Sequence, residues 1–309
     1  MSPDQRLAAE VRGLVGALRR HAPQRDWTPR RHREVFEAAA RSRTVHPDVV
    51  VDATGLCGPV PAEQHTPGVH RGDQILLYFH GGGFIMGSTA TSRPMASHLA
   101  AMTGRTVVVP DYDLAPEYRF PHQVDQATLC YDALTRSTGK PVVLVGDSAG
   151  GALSLRVAQS VGADKRPAAL VLLSPFLDLR LCAASIDAND EFDPQTPRWL
   201  LEQMVGHYLN GVASPEDPAV SPLLGELAGL PPTLVQVAEL EGLHDDAVAF
   251  ARAATAAGSP VDLETWPGMI HVWHYFVPRL PQAVAALQRL GEWLDDVVPT
   301  APRVIRSHI

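Results

Sequence analysis

The stretch VVLVGDSAGGAL (residues 142–153) decides the fold, because it carries a buried apolar run straight into a glycine-flanked serine. The Val and Leu run predicts a strand, and the small residues after it predict a helix. The turn between them, Gly146-Asp147-Ser148-Ala149-Gly150, has the G-x-S-x-G pattern of a nucleophile elbow, which exposes a serine at a strand end. A chance Gly/Ser turn is the alternative, and the strand–turn–helix context argues against it. Ser148 is therefore a candidate nucleophile.

On both sides of this turn, short apolar runs alternate with helical patterns. Strands are predicted at 49–53, 74–80, 105–112, 140–146, 168–174, 232–239 and 261–266, and helices at about 91–103, 122–138, 149–163, 243–257 and 279–297. Near-continuous Val, Leu and Ile predicts strands buried on both faces, hence a mostly parallel sheet flanked by helices.

Two segments do not fit this alternation. Residues 1–43 look helical and precede the first strand, while 176–230 separate two strands by more than a crossover needs. The second segment contains an amphipathic helix candidate at 197–209. Long helical insertions around an α/β core are candidate lids or caps over a site.

Composition limits the classes of partner. The chain has 309 residues and a net charge of −8, so nothing favours nucleic acid as a partner. Residues 1–50 nevertheless hold ten Arg against six acids. This excess indicates the solvated face of an amphipathic helix, or a surface that attracts anionic substrates or lipid headgroups.

The cysteines and the apolar runs bear on the compartment. Cys57, Cys130 and Cys182 form no C-x-x-C pair, so we expect small buried side chains and no disulfide framework. No run resembles a signal peptide or a membrane-spanning helix. The sequence therefore predicts a cytoplasmic protein without a stable membrane anchor.

A second glycine-rich motif, His80-Gly81-Gly82-Gly83, directly follows the strand predicted at 74–80. Three glycines let backbone N–H groups turn toward a developing oxyanion, where a side chain would block them. A phosphate loop is the competing interpretation, but neither G-x-x-x-x-G-K-[ST] nor G-x-G-x-x-G is present. A purely structural glycine turn stays open.

The candidate general base lies late in the chain, after the last predicted strand. WPGMIHVWHYF (266–276) supplies His271, which follows a Trp-Pro-Gly turn, and His274 one helical turn later. We assign the base to His271 and a packing or capping role to His274. The two could ligate a metal as a pair, but no third ligand lies nearby, and we predict neither a metal nor a cofactor.

Together these motifs resemble the hormone-sensitive-lipase-type family of α/β-hydrolases. The resemblance rests on HGGG (80–83), GDSAG (146–150), GMIH (268–271) and DYDLAPEYRFP (111–121), and it covers roughly residues 45–297. Asp113 departs from it, since the family most often has Arg there. The resemblance implies an α/β-hydrolase fold with a helical cap. The cap would comprise 1–43 and an insertion at 177–212, and the core 44–176 and 213–309.

The resemblance also implies a serine-hydrolase mechanism. Ser148 would attack a carbonyl, and His271 would take its proton and deliver it to the leaving group. The oxyanion would be held by the backbone N–H groups of Gly82, Gly83 and Ala149. Ala149 follows from the elbow itself, whereas the choice of Gly82 and Gly83 comes from the family.

Four neighbouring groups receive supporting roles from the same resemblance. His80 would organise the glycine loop through hydrogen bonds, and Gly81 would belong to that loop without donating to the oxyanion. Asp147 and Glu117 could be mistaken for the catalytic acid, but as family positions they are structural.

The catalytic acid belongs to VQVAELEGLHDDAVAF (235–250), which contains four acids. Glu239 ends the predicted strand, while Asp245 and Asp246 open the next helix, where carboxylates satisfy free N–H groups. Glu241 remains, in the turn after the strand. The family most often has Asp there, so Glu, one methylene longer, is a departure. We predict Glu241 as the acid and Asp245 as the second choice.

The leading functional hypothesis is a carboxylic ester hydrolase for short-to-medium acyl groups. The alternatives on the same scaffold are an N-acyl amide hydrolase such as a deacetylase, and a dehydratase or cyclase of a biosynthetic pathway. A non-catalytic ligand receptor is disfavoured because both Ser148 and His271 are present. The expected partner is a small-molecule ester or amide. The sequence leaves a homodimer open.

Overall fold

The computed structural model describes residues 8–298, and these residues form an α/β sandwich around one eight-stranded sheet. The strand order is β1-β2-β4-β3-β5-β6-β7-β8. β2 pairs antiparallel with both β1 and β4, and the other pairs are parallel. The strands are β1 Val49–Thr54, β2 Ala62–Pro67, β3 Ile75–Phe79, β4 Thr106–Pro110, β5 Val142–Asp147, β6 Ala169–Leu173, β7 Thr233–Ala238 and β8 Val261–Trp266.

All seven predicted strands are confirmed, and one strand was missed. β2, with the sequence AEQHTP, has no apolar run, so its pattern does not predict a strand. It is held by pairing on both sides. The expectation of strands buried on both faces holds for the central strands but is wrong for β1 and β8, which are largely exposed edge strands.

Helices cover both faces of the sheet. The six predicted helices are confirmed, two more lie in the N-terminal segment, and a short helix at 185–188 was not predicted. The helices are α1 Ala9–Arg20, α2 Pro29–Ala40, α3 Thr89–Thr103, α4 His122–Thr138, α5 Ala149–Ser160, α6 Ser185–Ala188, α7 Arg198–Leu209, α8 His244–Ala256 and α9 Pro281–Val297. Residues from α1, α3 and α9 build the core on one face, and residues from α4, α5 and α8 build it on the other.

The segments predicted to form a cap contain α1, α2, α6 and α7. Arg33 of α2 ties this region to the core. Its guanidinium donates to the carbonyls of Ile85 and Ala115, both at 2.7 Å, and forms a bidentate pair with Glu117 at 2.6 and 3.0 Å. Glu117 therefore has a structural partner, in line with the structural role that the resemblance implies. The ends of the predicted domains, 1–7 and 299–309, lie outside the described residues.

The cysteines and the helices test two further expectations. Cys57 and Cys130 are buried, whereas Cys182 is exposed in the irregular segment between β6 and α6, so the prediction that it is buried is wrong. None of the helices within residues 8–298 is long and apolar enough to span a membrane.

Candidate active site

The turn between β5 and α5 holds Ser148 in a strained conformation at φ 50° and ψ −119°. Its N–H donates to the Leu173 carbonyl at 3.0 Å, and its own carbonyl accepts from the N–H of Phe176 at 3.0 Å. A Cβ at Gly150 would clash with the Phe79 carbonyl, so the helix can approach β3 only if glycine stands there. The sequence therefore folds locally into the predicted elbow, and Ser148 remains 8% exposed.

The glycine loop after β3 offers two open backbone donors. The Gly81 N–H is occupied, because it donates to Asp147 Oδ1 at 2.9 Å. Within the described residues, the N–H groups of Gly82, Gly83 and Ala149 donate to no protein acceptor. The resemblance alone separated Gly82 and Gly83 from Gly81, and the occupied N–H of Gly81 is compatible with that choice.

Asp147 lies beneath this loop as a buried acceptor. Its carboxylate accepts from the Tyr78 hydroxyl at 2.6 Å, from Gly81 at 2.9 Å and from the Tyr275 hydroxyl at 3.1 Å. Burial raises the pKa of Asp147, while these donors oppose that effect. The contacts make Asp147 a support of the glycine loop, in line with the structural role expected of it.

His80 also supports the loop. Its Nδ1–H donates to the Gly81 carbonyl at 2.8 Å, and its ring stacks on Tyr112 with centroids 4.3 Å apart. The Tyr112 hydroxyl donates to the His80 carbonyl at 2.6 Å. Burial lowers the pKa of His80, which favours the neutral ring.

Helix α7 covers the glycine loop. Gly83 has φ 59°, and a Cβ there would clash with the Met204 side chain. Phe84, the next residue, stacks on Tyr208 with centroids 3.9 Å apart. Met204 and Tyr208 are both buried, so the apolar side chains of α7 pack closely over the glycine loop.

The loops after β7 and β8 bring an acid and a base together. Glu241 Oε1 and His271 Nδ1 lie 3.6 Å apart, somewhat longer than a hydrogen bond. Both groups are buried, and neither of these two atoms has a hydrogen-bond partner among residues 8–298. The two atoms face each other without another hydrogen bond, and a small side-chain rotation would close the bond between them.

Two opposing effects set the pKa of His271. Burial alone would lower it, but the Glu241 carboxylate overcomes this effect, with smaller contributions from the charges of Asp193 and Asp147. The net result is a pKa above the usual value for histidine. The surroundings thus stabilise the imidazolium form that a general base acquires during reaction.

Ser174, at the end of β6, holds the other oxygen of the acid. Its hydroxyl donates to Glu241 Oε2 at 2.6 Å and accepts from the N–H of Val272 at 3.1 Å. The Ala238 N–H also reaches Glu241 Oε2, at 3.3 Å. Sequence reasoning missed Ser174, although a polar residue at the end of a buried strand was a usable signal.

The insertion between β6 and β7 also reaches the histidine. The backbone N–H of His271 donates to Asp193 Oδ2 at 3.2 Å, and Gln195 Nε2 donates to the backbone carbonyl of His271 at 2.6 Å. Asp193 is buried. No sequence signal pointed to these residues, because they lie almost eighty positions from their partner in an irregular segment.

The same insertion contacts the backbone of the acid loop. Asn189 Nδ2 donates to the Glu241 carbonyl at 3.0 Å, and the Gly242 N–H donates to Thr196 Oγ1 at 3.3 Å. Residues 189–196 therefore hold both the acid loop and the base loop.

The three remaining acids of the 235–250 stretch have other partners. Glu239 accepts from the Gly268 N–H at 2.9 Å. Asp245 accepts from the Ser185 N–H at 2.9 Å and faces the His244 ring. Asp246 accepts from the N–H groups of Leu177 and Asp178 at 3.2 and 3.0 Å, and burial raises its pKa to about 8. Both acids lie in the first turn of α8 as expected, but the expectation that they satisfy its free N–H groups is wrong, because their carboxylates bond to the segment after β6.

His274 has a structural environment. Its Nε2–H donates to Gln236 Oε1 at 2.9 Å, its ring packs on Trp273, and burial lowers its pKa to about 3. Across residues 8–298, no three His, Cys, Asp or Glu side chains come together in a way that would hold a metal ion.

Backbone strain concentrates at these loops. Of the six non-glycine residues with positive φ in the described chain, four lie here: Phe84, Ser148, Ser174 and Val272. The left-handed region is unfavourable for such side chains, and it persists where surrounding contacts hold it. Phe84 follows the glycine loop, Val272 follows His271, Ser148 is the candidate nucleophile, and Ser174 bonds to Glu241.

Fold and site together define a hydrolase built on the α/β scaffold, with its candidate groups at the carboxyl ends of β3, β5, β7 and β8. The chain belongs to the family described as the alpha/beta hydrolase fold, whose model matches residues 76–275. Within that family it falls in the bacterial esterase group of the hormone-sensitive-lipase type.

Curated relatives and solved structures agree with this assignment. The chain is 36% identical over 265 residues to an acetyl-hydrolase of Streptomyces hygroscopicus, covering 82% of this chain and 88% of the relative. It is 34% identical over 290 residues to an esterase of Acinetobacter venetianus, covering 92% and 94%. The crystal structure of an esterase from the bacterial hormone-sensitive lipase family is 37% identical, with a TM-score of 0.89 over 94% of this chain and 99% of that one.

Proposed function

We propose that this protein hydrolyses carboxylic esters of short-to-medium acyl groups, with Ser148 as nucleophile, His271 as base and Glu241 as acid. The observation that carries the proposal is the buried pair of Glu241 and His271, 3.6 Å apart. The loops of this pair end at the same edge of the sheet as the Ser148 elbow.

In the proposed acylation step, His271 removes the hydroxyl proton of Ser148 as the oxygen attacks the ester carbonyl. The negative charge of Glu241 stabilises the imidazolium formed at this moment. The raised pKa of His271 supports this role, because it reflects the same stabilisation of the charged ring. His271 then protonates the departing alcohol.

The proposed oxyanion hole consists of the backbone N–H groups of Gly82, Gly83 and Ala149. These donors have no competing protein acceptor among residues 8–298, and the support beneath the loop comes from Asp147. Donors that are oriented before the reaction stabilise the tetrahedral oxyanion without having to reorganise.

In the second half of the cycle, water takes the place of the alcohol. His271 removes a proton from water, the hydroxide attacks the acyl group on Ser148, and the same oxyanion donors stabilise the new intermediate. The carboxylic acid leaves as His271 returns the proton to Ser148. No metal or cofactor is needed for either step.

The packing of α7 supports a preference for short-to-medium acyl groups. Met204 lies against Gly83, and Tyr208 stacks on Phe84, so the space directly over the glycine loop is limited by large buried side chains. The name of the Streptomyces relative, an acetyl-hydrolase, points the same way.

The proposal is tested by hydrolysis of p-nitrophenyl butyrate with the wild-type chain and with Ser148→Ala. We expect Ser148→Ala to lower kcat by at least about 10⁴-fold. The matched control is Ser160→Ala, the same substitution at the exposed end of the same helix, which should leave kcat unchanged. Activity of Ser148→Ala within about tenfold of wild type would contradict the serine mechanism.

Two further substrates separate the finer parts of the proposal. A p-nitrophenyl ester of a long acyl chain should be hydrolysed more slowly than the butyrate ester. An N-acetyl anilide should be hydrolysed much more slowly than the acetate ester. Faster turnover of the anilide would replace the esterase proposal with an amide hydrolase.

A further inference from the structure

An apolar cavity of about 610 Å³ lies between α1, α2 and the segment 275–279. Its walls carry apolar side chains from all three elements: Leu14, Leu18, Val35, Ala38, Phe276 and Val277. Neither Ser148 nor His271 lines it, so it is distinct from the candidate active site. Its volume falls within the range typical of small-molecule sites.

Arg43 lines this cavity with a guanidinium that lacks an anionic partner. The guanidinium carbon lies 4.8 Å from the ring centroid of Tyr275 and 5.8 Å from that of Phe276. Nη1 is buried without a hydrogen-bond partner, and Arg43 forms no salt bridge within residues 8–298. Buried charges are ordinarily paired, because desolvation without compensation is costly.

Asp147 is the carboxyl group that acts on Arg43 from the core, after the larger effects of Tyr275 and Tyr78, and it is already engaged. Asp147 acts on Arg43 through its charge, but its oxygens accept from Tyr78, Gly81 and Tyr275. Burial lowers the pKa of Arg43, which reflects the desolvation of the guanidinium. An anion inside the cavity would relieve this cost.

The other charges at the cavity also favour an anion. Glu34 is the acid that lines it, and Glu34 pairs with Arg31 at 3.3 Å. Arg279 and His21 line it as well, which leaves the lining with an excess of basic groups. The proposed hydrolysis gives no role to the excess of arginines in the N-terminal segment, whereas an anion in this cavity does.

We propose that this cavity binds a monocarboxylate with an unbranched apolar chain, the carboxylate paired with Arg43 and the chain packed between α1 and α2. A guanidinium and a carboxylate match in planar, bidentate geometry. The apolar walls on α1 and α2 match a hydrocarbon chain, whose burial supplies the remaining affinity. The proposal goes beyond ester hydrolysis and does not depend on it.

The site is also one side chain away from the glycine loop. Tyr275 lines the cavity, its hydroxyl donates to Asp147 at 3.1 Å, and Asp147 accepts from Gly81 at 2.9 Å. A ligand against Arg43 and Tyr275 would therefore lie two hydrogen bonds, through Tyr275 and Asp147, from the Gly81 backbone.

Isothermal titration calorimetry with decanoate tests the proposal, using the full chain at about pH 8, where the carboxylate is ionised. The protein is first treated with diethyl p-nitrophenyl phosphate, and mass spectrometry establishes the extent of serine modification. We expect decanoate to bind with one-to-one stoichiometry and decan-1-ol to bind at least about tenfold more weakly, because it lacks the charge. Equal affinity for the alcohol would overturn the role of Arg43.

Variants locate the binding site. Arg43→Met should weaken decanoate binding by at least about tenfold, whereas Arg41→Met, an exposed arginine two positions away, should not. Ala38→Trp keeps Arg43 but fills the cavity from an exposed position, and it should also abolish binding. Wild-type affinity in both Arg43→Met and Ala38→Trp would overturn the proposal. Because these variants measure decanoate binding and not hydrolysis, the binding result can be interpreted even if the proposed hydrolysis fails.

Discussion

Replacing Glu241 with Gln removes one negative charge and keeps the shape of the side chain. Ser174 and Ala238 hold one carboxylate oxygen, so the other faces His271 Nδ1 at 3.6 Å. A Gln amide in this position offers His271 a neutral group, and it can present its NH₂ to the ring. The substitution should therefore leave the fold intact and remove the stabilisation of the imidazolium.

The structure gives the size of this effect. At 3.6 Å and an effective dielectric constant of about 20, a carboxylate and an imidazolium attract each other by about 5 kcal/mol. If this attraction is lost in the transition state, kcat falls by roughly 10³- to 10⁴-fold. Loss of the corresponding charge in a serine protease lowers kcat by about 10⁴-fold, which is a similar magnitude.

The assay is the pH dependence of kcat and kcat/KM for p-nitrophenyl butyrate. A base must be neutral to act, so activity in wild type rises as pH passes through the raised pKa of His271. Without the Glu241 charge, burial dominates and the pKa of His271 falls, so the acid limb of the profile should move to lower pH while kcat drops.

Asp245→Asn is the matched control, because it removes an acid four positions away that faces Ser185 and His244. It should change kcat by less than about threefold. The reasoning would be refuted if Glu241→Gln retained more than about a tenth of wild-type kcat, or if Asp245→Asn showed the large loss instead.

Three further predictions concern Ser174 and Asp193, which bond to this pair, and the buried Asp246. Ser174→Ala should lower kcat by roughly ten- to a hundredfold, because it removes a 2.6 Å hydrogen bond to Glu241, and an unchanged kcat would contradict this. Asp193→Asn should keep the hydrogen bond from the backbone N–H of His271 but remove a charge that raises the pKa of His271. The acid limb of the kcat/KM profile should therefore move to lower pH. An unmoved limb would show that Asp193 acts by hydrogen bonding alone. Asp246 has a pKa of about 8 when folded, above its unfolded value, so it makes the protein less stable as pH rises toward 8. In urea unfolding, the stability of Asp246→Asn relative to wild type should therefore increase between about pH 5 and about pH 8, by up to about 4 kcal/mol.

Much of the site could be predicted because its parts are local. Ser148 and the 80–83 glycine loop each follow an apolar strand within a few residues, and such strand–turn junctions are encoded by neighbouring residues. His271 could be chosen over His274 from its position after the last strand. The structure brings His271 to the acid and gives His274 a buried structural partner, Gln236.

Other features have no local signal. Strand β2 is polar, and it exists because β1 and β4 pair with it from both sides. Asp193 contacts His271 from an irregular segment 78 residues away. The cavity beside Arg43 depends on how α1 and α2 lie against the segment 275–279. The sequence pattern of any one of these segments does not predict contacts with distant parts of the chain.

The four acids of residues 235–250 show which features follow from the local sequence and which depend on tertiary structure. The sequence by itself determined that a strand ends there and that a carboxylate should follow it. Tertiary structure decided where each carboxylate goes: Glu241 faces His271, Glu239 accepts from the Gly268 N–H, and Asp245 and Asp246 bond to the segment after β6. The physical reason is that strands and turns follow from short-range pattern and backbone preference. The partner of a buried charge is set by loops that meet only when the chain has folded.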